Sequence, residues 1–315
     1  MSAAQPPEGA HTAAAGESTP VGAAQIAARS AARGMVLIAV LWIVAALAIL
    51  VTGMSRAVRG EARTATAARQ LVNAAAQGDA AIHLALQTLA AGPALPVRLS
   101  VLPTRYHEQA IDVQILPLNG LIDLNRATPA LLARLFMVAA GLEAGQAQAL
   151  AKAAADWRAL HVGGGSPRGF EAAEDLLRVP GIDYDLYATI APLITADVDA
   201  AGSGRVNPMA APEAVLTVLA NGDAVQAVRI AAQRNAGASA IDTTGLTGEF
   251  IDSAATRRLR LQARVALPQG GRVFVARSVE FLANFQNSQD SREGLPWRSF
   301  RVEHRLEPNT DANPM

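Results

Sequence analysis

MVLIAVLWIVAALAILVTG, residues 35–53, is the stretch on which the reading of this chain turns. It holds no charge and no proline. A helix rises about 1.5 Å per residue, so a run of this length approaches the ~30 Å hydrocarbon core of a bilayer. Arg33 stands just before it, and Arg56, Arg59 and Arg63 just after. A secretory signal has a shorter apolar region, about 7–15 residues, closed by a small-residue cleavage site, and neither feature fits. The sequence therefore predicts a transmembrane segment over residues 35–54. The residues before it are rich in Ala, Pro and Ser and lack the apolar side chains to form a core. Everything after it is expected to lie together on the far side.

Composition bounds the chemistry. The chain has 315 residues, no cysteine and a formal net charge of zero. Disulfides and cysteine-based zinc or iron–sulfur sites are excluded. Neutrality argues against a dedicated nucleic-acid binder, which usually carries a positive excess. The 51% hydrophobic fraction leans on alanine, and aromatics contribute only 4%. Gly163-Gly164-Gly165-Ser166 lacks the lysine of a phosphate loop and the strand-to-helix context of a serine hydrolase. His11, His83, His107, His161 and His304 show no metal-ligand spacing. The expectation is a protein that is not an enzyme and has no small-molecule substrate.

Past the apolar stretch, Leu71, Ala75, Ile82, Ala85, Leu86 and Leu89 recur at three- and four-residue steps until Gly92-Pro93. That period predicts one helix over residues 35–91, roughly 85 Å long at 1.5 Å per residue. Ile111, Val113 and Ile115 then alternate with polar residues, as in a half-buried strand. A matching run appears at Leu259, Leu261, Ala263, Val265 and Leu267, with Arg258, Arg260, Gln262 and Arg264 opposite. Gln269-Gly270-Gly271 makes a tight turn, Val273, Val275, Val279 and Phe281 form the return strand, and Phe300, Val302, His304 and Leu306 a further one. The residues between read as helices. The predicted fold is α+β: a long transmembrane and amphipathic helix packed on a small antiparallel sheet, with a large inserted all-α domain. Its segments are a leader over 1–34, the spanning stretch 35–54, the helix continuation 55–91, sheet at 92–118 and 255–310, and the insertion 119–254.

The insertion contains an imperfect repeat. Ile122-Asp123-Leu124-Asn125-Arg126-Ala127-Thr128-Pro129, followed by Leu131, Leu132 and Leu135, is echoed by Val206-Asn207-Pro208-Met209-Ala210-Ala211-Pro212, followed by Val215, Leu216 and Leu219. Thr128 before Pro129 is a helix N-cap followed by proline at the first helical position. Between the copies lie Asp156-Trp157 and Glu174-Asp175-Leu176-Leu177-Arg178-Val179-Pro180-Gly181-Ile182.

Together with the junction Ala31-Ala32-Arg33-Gly34-Met35, these segments resemble the general secretion pathway protein K family, minor pseudopilins of type II secretion. The resemblance spans roughly residues 33–282 and carries a pilin-like fold with it. It implies a prepilin leader, cut after Gly34 by the prepilin peptidase, with methylation of Met35. Most prepilins have glutamate at the fifth mature position; this chain has Ala39 there, and that family likewise lacks the glutamate. The resemblance further implies a structural subunit at the pseudopilus tip, partnered by other minor pseudopilins and taking part in export of folded proteins across the outer membrane. Its location would be the bacterial inner membrane, single-pass and in contact with the lipid bilayer. The N-terminus would be cytoplasmic before processing and the C-terminal domain periplasmic. Three departures stand out: Met209 replaces the usual asparagine, Arg158-Ala159-Leu160-His161 replaces an acidic run, and the leader is long.

No cofactor is expected, calcium aside. Calcium takes six to eight oxygens, and Asp183, Asp185, Asp197 and Asp199 are the candidates, although Ile194 occupies the twelfth-position place counted from Asp183. Solvated loop charges are the preferred reading of these acids. The segment 177–182 also resembles the hairpin of helix-hairpin-helix DNA binders, so a membrane-anchored DNA receptor is the alternative function. Asp183 stands where that hairpin has its second glycine, and residues 168–199 hold two arginines against seven acids, which opposes phosphate binding. The preferred reading is a helix-packing turn with no nucleic-acid partner. Six arginines between Arg257 and Arg277 read as a solvated or partner-facing stripe.

Overall fold

The computed structural model describes residues 21–160, 169–197, 202–238, 240–282 and 295–308, with the side chains of 21–35, 51–60 and 62 left out. The chain divides into two compact units, Met1–Ala68 and Arg69–Met315. Helix α1 (Val21–Ala91) contributes to both.

In the first unit the described side chains from residue 36 to residue 50 are all exposed. Here the expected transmembrane helix is overturned: among the described residues, no helix is long and apolar enough to cross a membrane.

The second unit is built on a five-stranded antiparallel sheet in the order β1-β2-β5-β6-β7. Its strands are β1 (Ser100–Tyr106), β2 (Gln109–Pro117), β5 (Arg258–Ala266), β6 (Arg272–Phe281) and β7 (Trp297–Glu307). One face is covered by the last part of α1. Ala74, Ala81, Ile82, Ala85 and Leu86 are buried there with Ile111, Val113, Leu261, Val275, Val279 and Phe281. Small residues on that helix face allow close approach: a Cβ added at Gly78 would lie 2.7 Å from Val275 Cγ2. Asp79 fixes the helix laterally, 2.9 Å from Arg277 and 3.0 Å from Nε2 of His304. The β5–β6 turn uses Gly270 and Gly271 at φ +91° and +82°, a region costly for other residues.

Residues 118–257 leave the sheet after β2 and return to it at β5. Their elements are β3 (Ile122–Asp123), α2 (Pro129–Ala140), α3 (Ala144–Ala159), α4 (Tyr184–Ile190), β4 (Ile194–Thr195), α5 (Glu213–Leu219) and α6 (Ala224–Asn235). This part has its own core, centred on Leu132, Phe136, Leu216, Leu219 and Ile230. The expectation of an all-α insertion is corrected by β3 and β4, which pair in parallel through Ile122↔Ile194 and Asp123↔Thr195. A further parallel bridge joins Val206 to Ile251. β-branched residues let two chain segments run side by side through the core while pairing their backbone groups, which could not be left bare.

Strand β1 falls within the expected sheet segment 92–118, but the sequence does not delineate it, because Val101, Pro103 and Arg105 break the apolar alternation that marks a strand. β7 lies where Phe300, Val302, His304 and Leu306 alternate, yet those side chains are half exposed rather than core. An edge strand on the margin of the helix's footprint accounts for this.

Candidate functional site

Gly34, Met35 and Ala39 fall within α1. The side chains of Gly34 and Met35 lie outside the described residues, and Ala39 is exposed. Directly after them, large apolar side chains stand in solvent, Leu37 at 75% and Trp42 at 73% exposure.

The sequence repeat is a repeat of geometry. In the first copy Asp123 Oδ1 accepts the Asn125 N–H at 2.8 Å, and the Asp123 carbonyl accepts the Ala127 N–H at 2.8 Å. In the second, Asn207 Oδ1 accepts the Met209 N–H at 3.0 Å, and the Asn207 carbonyl accepts the Ala211 N–H at 3.0 Å. Each turn then launches a helix, α2 from the Thr128 cap and α5 from Pro212. Each helix is followed by a partner, α3 or α6, whose last turn sends an arginine back to the turn. Arg158 donates to the carbonyls of Leu124 and Ala127, both at 2.8 Å, and Arg234 donates to the carbonyl of Ala211 at 2.5 Å. Burial lowers the pKa of both guanidiniums from the ordinary arginine value. Neither arginine was singled out from sequence, since its role depends on where the second helix ends.

The copies differ in charge. Asp123 is 4% exposed. Burial raises its carboxyl above the ordinary value, and the Asn125 N–H and the charges of Arg126 and Arg158 do not overcome that effect. Asn207 fills the same role uncharged and uses its amide to donate to the carbonyls of Val97 and Ala254. In the first copy Asn125 does this work instead. Its Nδ2 donates to the carbonyls of Phe170 (2.9 Å) and Ala196 (3.2 Å), and its Oδ1 accepts the Phe170 N–H at 2.6 Å. Phe170 is thereby held stacked on Trp157, with ring centroids 4.5 Å apart.

The described calcium candidates have separate roles. Asp183 caps α4, accepting the Leu186 N–H at 2.8 Å, and Asp185 lies in that helix's first turn. Asp197 pairs with Arg301 at 3.1 Å. Asp199 lies outside the described residues. Among the described residues no group of three or more acidic or histidine side chains is placed to hold a metal.

Three hairpins precede helices, at Gly141 (φ +66°), Gly181 (φ +91°) and Asn221-Gly222 (φ +55° and +93°). The helix start after each carries an acid: Glu143 before α3, Asp183 before α4 and Asp223 before α6. Asp183 and Asp223 fold back onto free backbone N–H groups at 2.8 and 2.9 Å. Those donors are the ones a bound phosphate would use.

A concavity of about 470 Å³ lies between the outer face of the sheet and α4. Gln114, Gln262, Arg260, Arg264 and Phe274 line its floor, and Tyr184 and Tyr187 its rim. Of the six arginines of the stripe seen in the sequence, Arg260 and Arg264 line this concavity, and four are ion-paired. Arg258 meets Glu280 at 3.4 Å, Arg260 meets Glu303, and Arg264 meets Glu307 at 3.1 Å. On the other face Arg277 meets Asp79. Burial raises Glu307, but hydrogen bonds and charge from Arg305 and Arg264 hold it below the ordinary carboxylate range. Arg305 also lies over the Phe274 ring, 4.0 Å from its centroid. The carboxylates come from β6, β7 and α1, and only the Arg258–Glu280 pair, opposed within the β5–β6 hairpin, lies within reach of sequence spacing.

No family model matches the chain, and no curated protein matches it in sequence.

Proposed function

We propose that this chain is a structural assembly subunit of the minor pseudopilin kind, cut after Gly34, methylated on Met35 and assembled at the tip of a type II secretion pseudopilus. The observation that carries the reading is the junction: Arg33-Gly34 directly precedes a helical run whose described large apolar side chains are 53–75% exposed. Leaving that much apolar surface in water costs roughly 25 cal/mol per Å², so the run calls for cover. Helices of neighbouring subunits, laid alongside, would supply it. Ala39 suits such a contact, since it brings no buried charge that needs a counter-ion. The head would face the periplasm and act by contact with other minor pseudopilins during export of folded proteins. Such a role needs neither cofactor nor catalytic constellation.

The alternative, a DNA receptor built on helix-hairpin-helix units, is opposed by Glu143, Asp183 and Asp223. Each places negative charge at the helix start where a phosphate would sit. Mass spectrometry of the protein isolated from cells that make it tests the reading. The expected N-terminus is a methylated Met35, and an N-terminus at any other residue refutes it.

A further inference from the structure

A strand pairs with a copy of itself in one register when its sequence is complementary to its own reverse. β7 carries such a stretch: Arg301-Val302-Glu303-His304-Arg305-Leu306-Glu307. Folded antiparallel about His304, it sets Arg301 opposite Glu307, Val302 opposite Leu306, Glu303 opposite Arg305, and His304 opposite itself. The faces agree as well. Glu303 pairs with Ala276 on the outer side of β6, and His304 pairs with Val275, which packs under α1. Each opposed pair therefore joins countercharges on the outer face or aliphatic side chains on the helix side. Cross-strand pairs of these kinds stabilise a ladder, and like charges directly opposed weaken it. Centring one residue earlier would set Arg301 against Arg305 and Glu303 against Glu303, so the register is specified.

The edge is open to a partner. β7 ends the strand order, and among the described residues no strand lies beyond it. The one irregularity falls before this stretch, at the Ser278/Val279 register shift, and residues 301–307 contain no proline. The opposite edge, β1, has Pro103 in its middle and lacks that N–H. Val302 and Leu306 are 47% and 59% exposed. The Arg305 side chain meets Glu307 at 3.0 Å and is still 57% exposed, which leaves its outer side accessible to a carboxylate such as that of Glu303 in a second copy.

We propose that β7 is a homotypic docking edge, along which a second copy of this chain adds antiparallel over residues 301–307, with the two-fold axis through His304. The two sheets then continue as one. This contact goes beyond the pseudopilin reading and stands without it.

The absence of cysteine from the sequence makes the test direct. His304→Cys places two thiols opposite one another across the axis, where directly opposed Cα atoms are about 4.5–5.5 Å apart, within disulfide reach. Full-length protein in mild detergent is oxidised and its disulfide-linked dimer measured. The expected result is efficient cross-linking of His304→Cys and none for Val101→Cys on β1, with the folded circular dichroism spectrum retained because Asp79 still holds Arg277. Adding Arg305→Glu or Leu306→Lys should cut the cross-linked fraction about tenfold, because two symmetric pairs are lost or turned repulsive at once. No cross-link at position 304, equal cross-linking from Val101→Cys, or indifference to both added changes would overturn the proposal. Association through α1 would give the last of these results.

Discussion

Asn125→Ala should be among the most costly single truncations of a polar side chain in the second unit. The Asn125 side chain makes three hydrogen bonds, two with Phe170 (2.9 and 2.6 Å) and one with the Ala196 carbonyl (3.2 Å). Phe170 is 3% exposed, so water cannot easily replace its lost partners. At about 1 kcal/mol per bond, the substitution should cost about 3 kcal/mol. For a unit of this size that corresponds to a melting temperature lower by about 6–12 °C. Circular dichroism melting of the full-length protein reads the global effect. Tryptophan fluorescence reads the local one, since Phe170 stacks on Trp157 and its release should change the emission of that indole. A melting temperature within about 2 °C of the parent, with Trp157 emission unchanged, would show that Asn125 does not hold the segment after α3.

Two further substitutions probe the same region. Asp123→Asn should keep the turn, because Asn207 makes it with an amide, and should remove the pH dependence that Asp123 brings. The raised folded pKa means that the native state binds a proton more tightly than the unfolded chain. The Asp123 contribution is therefore full below the unfolded value near 3.8 and lost as pH rises through the higher folded value. Asp123→Asn should then be the more stable chain above that window and not below it, measured by urea unfolding across the pH series. A variant that loses stability at neutral pH would show that the carboxylate itself is needed. Gly120→Ala would place a Cβ 2.4 Å from the Ala210 carbonyl carbon and oxygen. Backbone cannot yield as a flexible side chain can, so a loss of about 3 kcal/mol in the same urea assay is expected.

Legibility followed the range of the interaction. Thr128-Pro129 marked the start of α2 because cap and proline act within one turn, and Gly92-Pro93 marked the end of α1 for the same reason. The alternation at Leu259, Leu261, Ala263 and Val265 marked β5, since a two-residue period with one face buried leaves few other readings. The repeat was visible as letters, but its content was not. Asp123 and Asn207 look like a charge difference in sequence and act as the same turn acceptor in space. Strand β1 was not delineated because it is half exposed along its length and carries Pro103. The arginine stripe was misread because Glu280, Glu303, Glu307 and Asp79, which pair with four of its arginines, lie 22 to 198 positions from them in the chain. The apolar run at 35–53 was the boldest signal and the one most overextended, because an uncharged run flanked by arginines was taken as a span.

The repeat also explains how so large an excursion is held against a small sheet. The second turn sends polar contacts to the neck where the excursion leaves and rejoins the sheet. Asn119, just past β2, donates to the Ala254 carbonyl at 2.6 Å, and Asn207 donates to the same carbonyl at 3.2 Å. Asn207 also reaches the Val97 carbonyl at 3.3 Å, while the Leu99 N–H donates to the Met209 carbonyl at 3.0 Å. On the other side Arg258, the first residue of β5, donates to the Asp197 carbonyl at 2.9 Å. The second turn is thus stitched to the segment entering β1 and to the approach to β5, and the loop after β4 to β5 itself. Buried amides make such contacts without the desolvation cost of ions, which accounts for asparagine at 119 and 207. The second copy gave up the helix cap of the first and carries Pro212 there, but it kept the acceptor that fixes its turn and gained the donors that clamp the neck. Duplicating the turn supplied a helix pair from each copy for the core, and the divergence of the second copy tied that core to the sheet.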